Sequence, residues 1–138
     1  MILIENETDF DIDTKKLQKI ALELTSKDIE LIVCKDLKIR DLNAKFRGVD
    51  RVTDVLSFPL ESMPFAPLGS IVINVDKAKQ KALELNHTID DEICLLFIHG
   101  LLHLLGYDHE IDDKKMRDKE KEMVKKFDLP KSLIIRNT

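Results

Sequence analysis

The sequence predicts one α+β domain over residues 1–138, a small mixed β-sheet packed with helices, in which a central apolar helix carries histidines. Short β-branched segments alternate along the chain with segments of helical periodicity. The longest apolar run, Ile93 to Leu105, is long enough for a buried helix and too short to cross a bilayer. A chain of 138 residues can bury one core without disulfides, and no internal repeat suggests a second domain.

Four segments are rich in β-branched residues and predict strands, namely Met1–Glu5, Ile29–Cys34, Thr53–Pro59 and Gly69–Val75. The short first segment suggests an edge strand. Pro59 restricts its strand to an edge or an end, because proline cannot donate to the sheet. The Gly69–Val75 segment is the most β-branched, so we expect it to be central. Pro64 and Pro67 predict a loop over Leu60–Leu68.

Apolar residues recur at helical spacing in four further segments, Asp11–Leu24, Leu37–Phe46, Asp76–Asn86 and Asp112–Phe127. Thr88 and Asp91 resemble a capping box, so the histidine helix should begin after Thr88. Gly106 is placed to end that helix, since glycine adopts a positive φ without a Cβ penalty. The tail from Leu129 is uninformative.

Composition and charge indicate a cytoplasmic protein with no membrane partner. Cys34 and Cys94 are far apart and in no metal-ligand spacing, so we expect no disulfide and a reducing compartment. The N-terminus lacks the basic start and apolar region of a signal peptide. The net charge of −4 argues against binding nucleic acid with the whole surface. The segment Lys35 to Arg51 carries six basic and three acidic residues, 6 − 3 = +3, which on charge alone favours a solvated helix face.

Three of the four histidines, His99, His103 and His109, lie within eleven residues. His99 and His103 are four apart, so on a helix their imidazoles share one face and can bind one ion. His109 follows Gly106 and can return as a third ligand from a loop. All-imidazole ligation favours a single Zn²⁺, and three ligands leave one position open. The fourth histidine, His87, is predicted to lie in an exposed turn and outside the site.

The histidine spacing also matches the zinc-protease pattern H-E-x-x-H-x-x-G-x-x-H, except that Gly100 replaces the glutamate that acts as general base. This argues against ordinary peptide hydrolysis. A closed structural zinc site is an alternative and requires a fourth ligand. Cys94 would face elsewhere on the helix, whereas Asp108 or Glu110 could serve as a ligand or orient the imidazoles.

The histidine motif His99-Gly-x-Leu-His-Leu-x-Gly-Tyr-Asp-His109 occurs together with Leu42-Asn43, Arg47-Gly, Thr53-Asp-Val-Leu-Ser-Phe-Pro59 and Met116-x-x-x-Glu120. This combination resembles the bacterial YbeY family of rRNA-maturation endoribonucleases. The resemblance implies a zinc-dependent, single-strand-specific endoribonuclease that acts in 16S rRNA 3′-end maturation and ribosome quality control. Its partners would be rRNA and the small ribosomal subunit or its proteins, with no DNA. Many members have Gly-Asp where this chain has Gly69-Ser70, which leaves a role for an acidic residue there in doubt.

On that resemblance the metal ligands would be His99, His103 and His109, and the catalytic residues would be Arg47 and, through the metal, His99. Arg47 can pair bidentately with a phosphate, a role that lysine fills less well. Aromatic residues that could stack on bases are Phe46, Phe58 and Tyr107. Two other hypotheses are a zinc-stabilised ribosome-assembly factor that does not cleave RNA, and a metallohydrolase of another substrate.

Overall fold

A computed structural model describes residues 1–60, 67–108 and 111–130 of the chain. Several predictions concern residues outside this part. Most of the expected loop with Pro64, the third histidine His109, the carboxylate Glu110 and the tail from residue 131 onward all lie outside the described residues.

The described strands form one mixed, four-stranded sheet in the order β1-β2-β4-β3. The strands are β1 (Ile2–Asn6), β2 (Ile29–Cys34), β3 (Val55–Pro59) and β4 (Gly69–Asn74). β2 pairs in parallel with β1 and β4, whereas β3 pairs antiparallel with β4, with Pro59 opposite Gly69. The predicted edge position of β1, the interior position of β4 and the placement of Pro59 at the end of an edge strand are confirmed.

Five helices are described: α1 (Thr14–Leu24), α2 (Asp36–Arg47), α3 (Val75–Leu85), α4 (Ile89–Leu104) and α5 (Asp113–Lys126). The Thr88 hydroxyl accepts from the Asp91 N–H, which confirms the predicted start of the histidine helix. The prediction that the central strand extends to Val75 is wrong. The Asn74 side chain accepts from the Asp76 N–H, so Asn74 is an N-cap and Val75 already begins a helix.

Helices cover both faces of the sheet. The larger core lies between the sheet and helices α1, α3, α4 and α5, and includes Phe97 and Leu101 of α4. A smaller core on the other face joins Ile39 of α2 to Leu56 and Val72. Helices α4 and α2 therefore pack on opposite faces of the sheet, and β3, at its edge, contributes side chains to both.

At Gly100 helix α4 packs closely on the sheet. A Cβ atom at this position would lie 3.0 Å from Ile71 Cγ2 and 3.0 Å from Ser57 Oγ. The Ser57 hydroxyl donates a hydrogen bond to the Gly100 carbonyl at 3.0 Å. Position 100 consequently faces the sheet, and the hydrogen bond from Ser57 holds this part of α4 against β3.

Candidate metal centre

His99 and His103 lie together on one face of α4, as their spacing predicts. Their Nε2 atoms are 3.2 Å apart, and their rings meet edge to face with centroids 4.7 Å apart. The surrounding helix is buried, while the two imidazoles are partly exposed. The two nitrogen atoms therefore converge on one point at the surface of the helix.

The orientation of His99 is fixed by α5. Its Nδ1 lies 2.7 Å from Glu120 Oε2, and the Glu120 residue is only 1% exposed. An ionised carboxylate can only accept a hydrogen bond, so it selects the tautomer with the proton on Nδ1. The Nε2 lone pair of His99 is then directed away from Glu120 and toward His103. A carboxylate behind an imidazole is the usual outer-shell arrangement of metal-binding histidines.

Glu120 is a functional candidate to which the chain's periodicity did not assign a role. It appeared only as part of the motif Met116-x-x-x-Glu120. A sequence signal was nevertheless present, because Glu120 lies at helical spacing between Met116 and Met123, both buried on the apolar face of α5. A carboxylate on an otherwise apolar face requires a buried polar partner, and here that partner is a histidine.

The two described histidines fit zinc. Two zinc–nitrogen bonds of about 2.0–2.1 Å at a tetrahedral angle place their nitrogens about 3.3–3.4 Å apart. The observed Nε2–Nε2 distance of 3.2 Å is close to this spacing. Zinc would thus be held by His99 and His103 through Nε2, with Glu120 behind His99. No group of three or more candidate metal ligands lies within the described residues, and the predicted third ligand, His109, falls outside them.

Helix α4 ends just before Gly106, as predicted. Gly106 has a φ of +96°. Its N–H donates to the His103 carbonyl at 3.0 Å, and the Tyr107 N–H donates to the Leu102 carbonyl at 3.0 Å. These two hydrogen bonds form the Schellman motif that commonly ends a helix at glycine.

The cysteines are not candidates for ligands. Cys34 and Cys94 are free and buried. Burial raises the pKa of the Cys94 thiol to about 12 and that of Cys34 to about 11. At these pKa values both thiols stay protonated at neutral pH. Since the thiolate is the form that binds metal, neither cysteine is a candidate ligand.

His87 is less exposed than its Asn-His-Thr context predicted. Its Nε2 lies 2.8 Å from Glu92 Oε1 and its side chain is 9% exposed. The prediction of an exposed turn is correct for Asn86 and Thr88, which flank His87 and are exposed, and Asn86 has a φ of +58°. This left-handed residue ends α3 and turns the following histidine inward against the first turn of α4.

Arg47 is the last residue of α2 and is exposed. It borders a cavity of about 300 Å³ that is also lined by Asn43, Arg51 and Thr53. Since α2 and α4 pack on opposite faces of the sheet, Arg47 and the histidine pair are separated by the β3 edge. A substrate that touches both must therefore extend past β3.

Residues 3–128 match the family model described as Endoribonuclease YbeY. The chain belongs to the YbeY family. A curated relative from Nautilia profundicola named Endoribonuclease YbeY is 60% identical, with 99% of each chain covered. A relative of the same name from Aliarcobacter butzleri is 55% identical over the full length of both. The predicted family and its enzyme class, a nuclease of the hydrolase type, are thereby confirmed.

The fold is shared with a solved structure. A solution structure of a protein from Thermotoga maritima is 34% identical, covers 92% of this chain and 89% of its own, and superposes with a TM-score of 0.64. The predicted single α+β arrangement of helices on a small mixed sheet is confirmed. None of the helices in the described ranges is long and apolar enough to serve as a membrane span.

Proposed function

We propose that the protein is a zinc-dependent endoribonuclease that cleaves single-stranded RNA in the cytoplasm. The observation that carries the proposal is the pair of Nε2 atoms 3.2 Å apart, with the buried Glu120 carboxylate on the opposite side of His99. Two nitrogen atoms directed at one position and a carboxylate that sets the tautomer are the features of metal-binding histidines. A histidine pair with a purely structural role would need neither. The name that the relatives carry, Endoribonuclease YbeY, supports RNA as the substrate.

The metal ligands in this proposal are His99, His103 and His109. Bound zinc supplies Lewis-acid polarisation of a phosphate oxygen and activation of water at neutral pH. The chain orients both imidazoles. Gly100 lets the helix that carries them lie close to the sheet, beside the reacting phosphodiester. At position 100 the zinc-protease base is replaced by a residue that faces the sheet, so proton transfer depends on another group or on the RNA itself.

Arg47 supplies positive charge to the phosphate chain in this proposal. A guanidinium donates two parallel hydrogen bonds to a phosphate and stays charged at every physiological pH. The position of Arg47 across the β3 edge from the histidines suits binding of a neighbouring phosphate of the same strand. Arg47 then holds the RNA in register while the histidine site acts on the scissile phosphodiester.

We further propose that the cellular substrate is the precursor of 16S rRNA, at its 3′ end, and that the protein takes part in ribosome quality control with the small subunit or its proteins. A single-stranded 3′ extension suits a site whose parts lie on two sides of a sheet edge, because an unpaired strand bends around an edge more easily than a duplex. The prediction for cells is that those producing only a His99→Ala protein accumulate 16S rRNA with unprocessed 3′ ends.

The decisive experiment compares cleavage of a single-stranded RNA and of its duplex by the parent protein, His99→Ala and Arg47→Ala. We expect the parent to cleave only the single strand, and both variants to be slower by about 100-fold or more. Lys19→Ala, on α1, is the matched control and should cleave as the parent does. Equal rates for the parent and both variants would show that cleavage comes from a contaminant or from another site.

A further inference from the structure

Around Arg47, the C-terminal end of α2 carries residues to which the proposed function gives no role. Phe46 is 65% exposed although it is aromatic. Its ring packs edge to face against the ring of Phe58 on β3, with centroids 5.8 Å apart. This contact restrains the orientation of the Phe46 ring. A large exposed ring fixed in this way presents an apolar plane to the solvent. Below, Phe46, Phe58, Arg47 and Arg51 are called the α2-end surface.

The charge of this surface is not neutralised by the protein. Asp50, the acidic residue between the two arginines, accepts hydrogen bonds from Arg40 at 2.8 and 3.3 Å. Neither Arg47 nor Arg51 forms an ion pair with any described residue, and both are exposed. Arg47, which follows Phe46 in the chain, and Arg51, which lines the same cavity as Arg47, are consequently two exposed guanidinium groups with no ion pair to a described residue.

Asn43, which lines the cavity together with the two arginines, has an unsatisfied acceptor. Asn43 is 4% exposed, and its Nδ2 donates to the Arg51 carbonyl at 3.0 Å, which holds the loop against α2. Its buried Oδ1 has no hydrogen-bond partner among the residues described. Buried polar atoms are nearly always paired, so this acceptor suggests a ligand that brings a donor. Ribose hydroxyls and base amino groups are such donors.

The α2-end surface and the histidines meet the same end of β3 from its two sides. Phe58, which contacts Phe46, precedes Pro59 at the end of this edge strand. Pro59 lies opposite Gly69 in the sheet, and a Cβ at Gly69 would lie 2.8 Å from Leu104 Cδ2. Leu104 directly follows His103. Phe46 and Leu104, the neighbour of His103, therefore both lie near the Pro59 end of β3, the last strand in the described sheet.

We propose that the α2-end surface is a second RNA subsite, in which Phe46 stacks on an unpaired base and Arg47 and Arg51 bind the adjoining phosphates of a strand that passes over the β3 edge from the metal centre. This proposal rests on the proposed function, since it assigns a place to another part of the same substrate. An aromatic ring beside arginines is the usual platform for single strands and is tolerant of base sequence.

The test measures binding of a fluorescein-labelled single-stranded RNA by stopped-flow anisotropy, before turnover, for the parent, Phe46→Leu, Phe46→Trp and Arg51→Ala. Leucine retains an apolar contact with Phe58 but offers no ring. We expect Phe46→Leu to weaken binding by about 5- to 50-fold and Phe46→Trp to retain it. Arg51→Ala should lower the slope of log K against log salt by about 0.7. Leu37→Ala, an exposed apolar residue on the same helix, is the control.

A second RNA of the same length with abasic sites separates stacking from a general loss of structure. On this backbone Phe46→Leu and the parent should bind equally, whereas Arg51→Ala should remain weaker. Parent-like binding of the base-bearing RNA by Phe46→Leu would overturn the subsite and leave the proposed function intact. Equal weakening of both RNAs by Phe46→Leu would overturn the stacking role. A parent that neither binds nor cleaves single-stranded RNA would overturn the subsite and the proposed function together.

Discussion

His99 Nδ1 and Glu120 Oε2 lie 2.7 Å apart, and they join the helix that carries the histidine pair to the last described helix of the chain. The carboxylate is almost fully buried and belongs to an apolar helix face. Because the carboxylate accepts a hydrogen bond from the Nδ1–H of His99, the Nε2 lone pair of His99 faces Nε2 of His103. In the proposed metal centre, the orientation of His99 on α4 therefore depends on a residue of α5.

Glu120→Gln should weaken zinc binding by about 10- to 100-fold, the usual cost of losing an outer-shell carboxylate. The glutamine carbonyl can still accept a hydrogen bond from the Nδ1–H, but the substitution removes the negative charge that makes the imidazole a better ligand. The measurement is competition for zinc with a chromophoric chelator. Glu122→Gln is the matched control, since Glu122 is exposed on the same helix and pairs with Lys119. Equal zinc affinity of both variants would show that Glu120 has a structural role alone.

Gly100 should be intolerant of a side chain. Alanine usually stabilises a helix by about 1 kcal/mol over glycine, but here its Cβ would meet Ile71 and Ser57 at 3.0 Å. We expect Gly100→Ala to lower the free energy of unfolding by up to about 2 kcal/mol, because overpacking costs about 1–3 kcal/mol and exceeds the helical gain. Urea denaturation measures the change. In a Ser57→Ala background the loss should be smaller, since one close contact is gone. A Gly100→Ala protein more stable than the parent would contradict this packing.

Alkaline pH should destabilise the protein through its buried thiols. Burial raises the pKa of Cys94 from 9.0 to about 12, so the folded state retains a proton that the unfolded state releases. The protonated thiol's contribution to the free energy of unfolding is fully present below pH 9 and is lost as the pH rises toward 12. Over this range the free energy of unfolding falls by at most about 1.4 kcal/mol per pH unit. Cys94→Ala should show a shallower decline between pH 9 and 11 in urea denaturation under reducing conditions. Identical slopes for parent and variant would exclude the thiol as the cause.

The order and type of the regular elements follow from local chemistry, which explains why they could be predicted. β-branched runs such as Ile29–Cys34 and caps such as Thr88 act through their immediate neighbours. Gly106 has the positive φ that its position after His103 suggested. The error at Val75 has the same origin, because Asn74 turns the chain into a helix although Val75 favours a strand.

The site depends on contacts between distant parts of the chain, and this is why it was predicted only in part. The i, i+4 spacing was sufficient to bring His99 and His103 together. The pairing of His99 with Glu120, 21 residues later, depends on how α5 packs on α4. Likewise, nothing in the sequence near Arg47 shows that α2 covers the opposite face of the sheet from α4. The inward turn of His87 toward Glu92 also requires the left-handed Asn86.

The most direct test of the metal centre is a long-range ¹H–¹⁵N NMR spectrum of histidine-labelled protein, recorded before and after one equivalent of Zn²⁺. We predict that the Nε2 resonances of His99, His103 and His109 move to the range of metal-bound nitrogen, while Nδ1 of His99 remains protonated and His87 is unchanged. Assignment uses single histidine-to-glutamine variants. Zinc binding that leaves the Nε2 resonances of His99 and His103 unshifted would contradict the proposed centre.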